Sequence, residues 1–370
     1  MDIINERSAL TRTRRAVARG SLNVGILGGS ITAGDVNTGG MESNWPYYIR
    51  GWLLSNFTGL RLTVCNGGIG GTGTLCGLMR CEKEMIAAGC DIVFLEYAVN
   101  DCYGDAELRT REREGLIRKL LRSGCDVVLV YTFRRDMHAV MAAGGVPDVV
   151  LQFEELAKHY SLSSVWSGRY ALDQLNKGRI SWEGWLPIEG DNIHPGYAGS
   201  SIYAEPVIEL LRRSLAGCMP ESGDAEKTEL PAPLDARNYE TMRAVPMESW
   251  DIRPPWTIMR ELKAPWYDRV VYTCADGAEL SFRFSGRVLA AMLNFGKRCG
   301  VFTYSIDGGD WKEMPVDRAY WVPDNDWCTP VLLESDLPAG EHTFRMKTQF
   351  KDIADCKGSE CKIYTFMCAD

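Results

Sequence analysis

The chain has 370 residues, more than one hydrophobic core ordinarily serves, so two domains are the first expectation and one large domain the alternative. Hydrophobic residues at 45%, charged residues at 24% and aromatics at 10% exclude a disordered or fibrous chain. With 41 basic against 49 acidic side chains the net charge is -8, which repels phosphate backbones and argues against a general nucleic-acid partner.

The first twenty residues, "MDIINERSALTRTRRAVARG", are polar throughout, with no apolar segment of a secretory leader, and no later run approaches the roughly 18 apolar residues of a membrane span. The basic stretch reads as a solvated helix. Thirteen cysteines are scattered without C-x-x-C pairs or neighbouring histidines, which fits free thiols in a reducing compartment; a cytoplasmic protein without metal or membrane partner is expected. The sequence "CKGSEC" leaves open a local bridge between Cys356 and Cys361.

Strand and helix then alternate. "LNVGILGG" (22–29), "LRLTVCNGG" (60–68), "DIVFLEYAVN" (91–100) and "DVVLVYTF" (126–133) are nearly continuous apolar runs, as strands buried on both faces require. "WPYYIRGWLLSNF", "LCGLMRCEKEMIAAG" and "ELRTREREGLIRKLLRSG" lie between them as helices. "VPDVVLQFEELAKHYSL" adds a helix, "SSVW" a last strand, and "SSIYAEPVIELLRRSLAG" a closing helix. The alternation predicts an α/β domain over 1–217, its parallel sheet layered between helices.

Residues 218–236, rich in proline, acid and small residues, read as a linker. Over 237–370 short strands recur with "DG" and "DGG" turns: "VVYTCADG", "ELSFRFSG", "VLAAMLNF", "GVFTYSIDGGDW", "TPVLLESDL", "EHTFRMKTQF" and "KIYTFMCAD". These predict an all-β, jelly-roll-like sandwich.

Ser30 in "VGILGGSITAG" follows an apolar strand, at the sheet edge where α/β folds place ligands, and Gly28 and Gly29 let the backbone turn and a substrate approach. A phosphate-cradling or merely structural turn is the alternative, although neither G-x-x-x-x-G-K-[ST] nor G-x-S-x-G is matched. Of four histidines, His159 and His342 fall in structural contexts and His138 in a loop, whereas "GDNIHPGYAG" places Asp191 three residues before His194. A carboxylate at that spacing accepts from imidazole Nδ1 and leaves Nε2 for a nucleophile; alternatively it only caps the turn. For the developing oxyanion, the Gly71 N–H in "NGGIGGTGT", Asn100 Nδ2 in "YAVND" and the Ser30 N–H are candidate donors.

Taken in order, "GGSIT", "NGGIGG", "AVND" and "DNIHPGYAG" resemble the four blocks of the SGNH (GDSL-like) hydrolases over residues 1 to about 215. The resemblance implies a three-layer α/β/α domain that hydrolyses esters without a cofactor. Ser30 would be nucleophile and first oxyanion donor, Gly71 and Asn100 the other donors, and Asp191 and His194 the rest of the triad. Gly29 stands where the family has an Asp that braces the loop, and Ala98 where it has a Gly.

An SGNH domain followed by a sandwich similar to carbohydrate-binding modules resembles bacterial carbohydrate acetylesterases, including intracellular ones acting on acetylated manno-oligosaccharides. The expected partner is then an acetylated oligosaccharide; self-association is left open. Tyr320, Trp321 and Trp327 in "RAYWVPDNDWC" have the composition of a sugar platform, expected to reach the Ser30 cleft, and Trp182 and Trp185 precede the catalytic loop. Core packing is the alternative for each tryptophan. A lipase or acyl-thioesterase on the same triad, and a sugar-binding protein without catalysis, remain as competing readings.

Overall fold

The computed structural model describes residues 1–34, 43–217, 229–260, 266–315, 318, 322, 327–350, 352–353 and 356–370, with backbone alone for 352, 353, 356 and 357. They form two compact units, Met1–Asn238 and Tyr239–Asp370.

The first unit opens with β1 (Ile4–Asn5), α1 (Thr11–Ala18), β2 (Ser21–Gly28), the one-turn α2 (Ser30–Ala33) and α3 (Trp45–Asn56). It continues through β3 (Arg61–Asn66), α4 (Thr74–Cys81), β4 (Ile92–Glu96), α5 (Ala106–Arg122) and β5 (Asp126–Val130). The short α6 (His138–Ala142) and α7 (Asp148–His159) precede β6 (Ser163–Val165), and α8 (Ser167–Asn176), α9 (Trp182–Trp185) and α10 (Tyr197–Leu215) follow. The sheet order is β1-β6-β5-β4-β2-β3, parallel except for the antiparallel edge strand β1.

β4 is buried at every position and β5 at all but its first, which is why their sequences show no alternation. Helices α4, α5 and α7 pack with one another, as do α3, α8 and α10, giving two helical layers around the sheet. Side-chain caps fix where several helices begin: Asn44 accepts from the Tyr47 N–H, and Asp105 accepts from the N–H groups of Glu107 and Leu108. The run 91–100 is a strand only to Glu96; beyond it the N–H groups of Asn100 and Asp101 turn back to the Tyr97 carbonyl.

Two polar stretches are less solvated than their composition implies. At α1, Arg12 and the capping Arg19 just after the helix bond the buried Asp91 at 3.2 and 2.8 Å, and Arg14 donates to the Ser214 carbonyl. In α5, Arg111, Glu112, Arg113, Glu114 and Arg118 are all buried. Part of their cover is the extended chain around 231–235: Glu114 accepts from the N–H groups of Leu234 and Asp235, and Arg118 donates to the Pro231 carbonyl. Among the described residues no helix is long and apolar enough to cross a membrane, and Cys361 is a free thiol. The Cys356 side chain lies outside the described residues.

In the second unit all seven sequence-predicted strands form, at Val270–Thr273, Glu279–Ser285, Val288–Asn294, Val301–Ile306, Cys328–Glu334, Glu341–Gln349 and Cys361–Ala369. They divide between two antiparallel sheets whose edges gain short strands such as Asp251–Ile252 and Thr257–Met259, too brief to carry a period. Glu279–Ser285 alternates buried and exposed residues, whereas Val288–Asn294, paired on both sides, is buried throughout. Inward residues of both sheets meet in one core, where the Phe282 ring lies 4.8 Å from Phe344 and 4.7 Å from Phe366. Such aromatic pairs add about 0.5–1.5 kcal/mol each beyond their burial.

One polar group is held against this sandwich. His342 is buried, its Nδ1 2.7 Å from Asp307 Oδ2 and its Nε2 2.8 Å from the Pro338 carbonyl oxygen. Both partners are acceptors, so both bonds form only when the ring carries two protons. Burial opposes that charge, but the bonds to Asp307 and Pro338 outweigh it and raise the His342 pKa. A raised folded-state pKa stabilises fully below the ordinary histidine value and is lost as pH rises through the folded value. The melting temperature of the second unit should therefore exceed that of H342Q most at about pH 6, and the gap should narrow by about pH 9, as thermal denaturation followed at both values will register.

Candidate active site

The strand order reverses direction between β2 and β4: the chain leaves β2 for β3 on one side, then crosses to β4 on the other. Crevices at the carboxyl ends of strands open at such reversals. Ser30 is the first residue of α2 directly after β2, Asn100 sits in the turn after β4, and Gly71 lies in the loop after β3.

The turn at Ser30 is closely packed, which explains its glycines. A Cβ on Gly28 would collide with Thr32 Oγ1, and one on Gly29 with the carboxamide oxygen of Asn100. The side chain absent at position 29 thus leaves room for Asn100, a candidate oxyanion donor, beside the residue that precedes the serine. The loop carrying Gly71 is tied to β2 by bonds from the Gly67 N–H to Ile26 O and the Ile69 N–H to Gly28 O, at 2.8 and 3.0 Å. Gly71 itself has φ +69°, a conformation glycine adopts without strain.

His194 and Asp191 lie in the loop before α10. Asp191 Oδ1 accepts from the N–H groups of Ile193 and His194, at 3.0 and 3.1 Å, while Oδ2 is 2.8 Å from His194 Nδ1. Each carboxylate oxygen therefore has its own task, one closing the turn and the other orienting the ring. Burial pushes the Asp191 pKa up, but these backbone bonds and the imidazole pull it below its ordinary value. On the other side of the ring, His194 Nε2 is 2.7 Å from Ser30 Oγ. The structure thus brings Ser30, His194 and Asp191 into one hydrogen-bonded row across 164 residues of chain.

The loop that carries Asp191 and His194 is held from two sides. Its Asn192 carbonyl accepts from the Arg135 N–H at 2.9 Å, and its Gly196 N–H donates to the Trp185 carbonyl at 3.0 Å. Trp185 corrects an expectation. It is fully buried, its Nε1 donating to Tyr203 Oη at 3.1 Å, and offers no face to a sugar; it is a core residue beneath the loop. Trp182 stacks on Trp185 at 5.3 Å, carries the Arg135 guanidinium 3.6 Å from its ring centre and meets His138 edge-on. Trp327, in the second unit, packs partly against that unit's core. Tyr320 and Trp321 lie outside the described residues.

Two sets of residues escaped the sequence reading. Asp101 is buried and bonds both the N–H and the hydroxyl of Thr74, at the end of the Gly71 loop, while Arg113 donates to it at 3.1 Å. It fastens the loops after β3 and β4 to each other; in sequence it reads only as a helix cap after Asn100. Tyr47, Tyr48 and Tyr197 gather where α3 meets α10: Tyr48 Oη donates to the Tyr197 carbonyl, and Tyr197, three residues after His194, is 58% exposed. Among the described residues no group of three or more His, Cys, Asp or Glu side chains is arranged to hold a metal ion.

No family model and no curated protein sequence matches the chain. Solved structures do. A two-domain esterase (CEX) active on acetylated mannans, co-crystallized with mannopentaose, superposes over 98% of this chain and 94% of its own with TM-score 0.79 at 19% identity. A second structure of that esterase covers 98% and 95%, with TM-score 0.78 and 20% identity. Axe2, an acetylxylan esterase from Geobacillus stearothermophilus, covers 56% of this chain and 100% of its own at 18% identity, with TM-score 0.42.

The contact at Gly29 yields a test. In G29A the added methyl displaces the Asn100 carboxamide, and kcat should fall by about 100-fold while the melting temperature stays within a few degrees of wild type, measured with a nitrophenyl ester and by thermal denaturation. The likeness to the acetylated-mannan esterase runs through both units and establishes the fold: an α/β unit with a mostly parallel sheet, followed by an antiparallel β-sandwich.

Proposed function

We propose that the chain is a serine esterase that removes O-acetyl groups from oligosaccharides derived from plant polysaccharides, acetylated manno-oligosaccharides among them. The observation that carries this reading is the row Asp191 Oδ2, His194 Nδ1 and Nε2, Ser30 Oγ, with separations of 2.8 and 2.7 Å. General-base activation of a serine needs both distances. Residues 1–217 carry the chemistry in this reading, 218–236 join the domains, and 237–370 act as a carbohydrate-binding-module-like sandwich.

In the first half-reaction Ser30 Oγ attacks the acetyl carbonyl carbon as its proton passes to His194 Nε2. The negative oxygen that forms is met by the N–H groups of Ser30 and Gly71 and by Asn100 Nδ2. The bond between the carbonyl carbon and the sugar oxygen then breaks, and the departing alkoxide takes the proton from His194. Water, deprotonated by the same ring, attacks the acetyl-enzyme and releases acetate. Asp191 stays ionised and steadies the imidazolium, in keeping with its lowered pKa.

The sugar half of the proposal is supported by the fold shared with an esterase active on acetylated mannans and co-crystallized with mannopentaose. It is further supported by the exposed Tyr197 ring just beyond His194, an aromatic surface suited to stacking on sugar C–H faces. Tyr320 and Trp321 are assigned to sugar contact by composition alone.

Mass spectrometry of acetylated manno- and xylo-oligosaccharides before and after treatment should show stepwise loss of acetyl groups from at least one backbone. S30A should lower kcat by about 10⁴-fold or more. On nitrophenyl esters the rate should drop beyond propionyl; a rate that climbs with acyl length makes the enzyme a lipase or thioesterase instead.

A further inference from the structure

Directly behind the nucleophile turn stands a carboxylate that the mechanism above does not use. Glu96, the last residue of β4, pairs with Gly28 in the sheet and is fully buried. Its Oε2 accepts from Thr32 Oγ1 at 2.9 Å and its Oε1 from Thr132 Oγ1 at 2.6 Å. We propose that Glu96 is the positioning residue of the nucleophile, holding through Thr32 the one-turn helix that Ser30 begins and so fixing where its hydroxyl points.

The direction of each bond supports this assignment. The Thr32 hydroxyl accepts from Trp45 Nε1 at 3.2 Å, so its own proton is directed at Glu96. Thr32 lies two residues after Ser30 in the same helical turn, so its bond to the carboxylate acts on the segment that carries the serine. The other donor, Thr132, stands in the segment after β5 whose Arg135 N–H holds the loop of His194 at Asn192. One side chain thus joins the serine turn to the strand end that supports the histidine loop.

Such a group is costly to keep. Burial pushes the Glu96 pKa up to about 7, while the bonds from Thr132 and Thr32 pull it back toward ionisation. A Cβ at position 29 would push the Asn100 carboxamide aside; the carboxylate behind the turn comes instead from the neighbouring strand.

The inference rests on Ser30 being the nucleophile, and the experiment separates the two. Wild type, E96Q, T132V and S30A are compared in labelling rate with a fluorophosphonate, in hydrolysis of nitrophenyl acetate, and in melting temperature. An amide has one acceptor oxygen where the carboxylate has two, so E96Q should lose about 10- to 100-fold in kcat with KM within about twofold, and label more slowly in proportion. T132V, which keeps the carboxylate but removes one donor, should lose several-fold in both rates. Wild-type labelling and kcat in E96Q, with only the melting temperature lowered, overturn the assignment. If E96Q does not fold, T132V decides by the same criterion. Labelling of S30A at the wild-type rate removes the nucleophile and this proposal with it; an unlabelled S30A beside a fully reactive E96Q removes the role of Glu96 alone.

Discussion

The contact between Gly29 and Asn100 governs how the rest of the first unit is arranged. Two neighbouring parallel strands, β2 and β4, end level with each other, and the segments leaving them pass so closely that a Cβ on the residue before Ser30 would push the Asn100 carboxamide aside. Given that approach, the hydroxyl of residue 30 and the carboxamide of residue 100 share one edge of the sheet. The loop after β3 must then lie against α2, where Gly68 approaches the backbone of Thr32 and Ala33. A switch point in strand order supplies the crevice, but the small residues at its rim decide how tightly the loops close around it.

The imidazole reaches this edge from the far end of the domain, and its placement rests on a division of labour within Asp191. The sequence left a choice between a carboxylate that caps a turn and one that bonds the imidazole. In the structure one oxygen closes the turn and the other meets the ring, so the turn that fixes the backbone of His194 and the bond that fixes its ring have a single source. A carboxylate that shapes the loop cannot drift relative to the ring it orients.

The parts of this arrangement legible in sequence are those with a local signature. β2, β4 and β5, largely buried on both faces, show nearly unbroken apolar runs and could be read with errors only at their ends, whereas β3, whose run looks alike, lies at the sheet edge with no residue buried. Ser30, Asp191 and His194 stand out by their Gly- and Pro-rich surroundings. The supporting groups have no such signature. Glu96 is a lone acid inside the apolar run 92–99 and Asp101 resembles any helix cap; each acts on residues distant in the chain, 64 positions away for Thr32 and 27 for Thr74. Trp185 was misjudged for the complementary reason. A tryptophan ahead of a catalytic loop looks the same in sequence whether it faces a ligand or, as here, the core beneath.

These supporting groups also bear on why the domain keeps charge in its interior. The Arg113–Asp101 pair is wholly buried, and the charged residues of α5 next to it lie among helices rather than in water. Such pairs contribute little net stability, since desolvation offsets most of the attraction, and apolar residues of equal volume would often stabilise as much or more. Apolar packing, however, tolerates small slips of one loop past another, whereas a carboxylate that must meet Thr74 and Arg113 together has one acceptable position. This buried ionic bond therefore serves placement more than free energy, under the loops that carry Gly71 and Asn100. The second unit, whose core is a cluster of aromatic rings, obtains its cohesion from apolar contact instead.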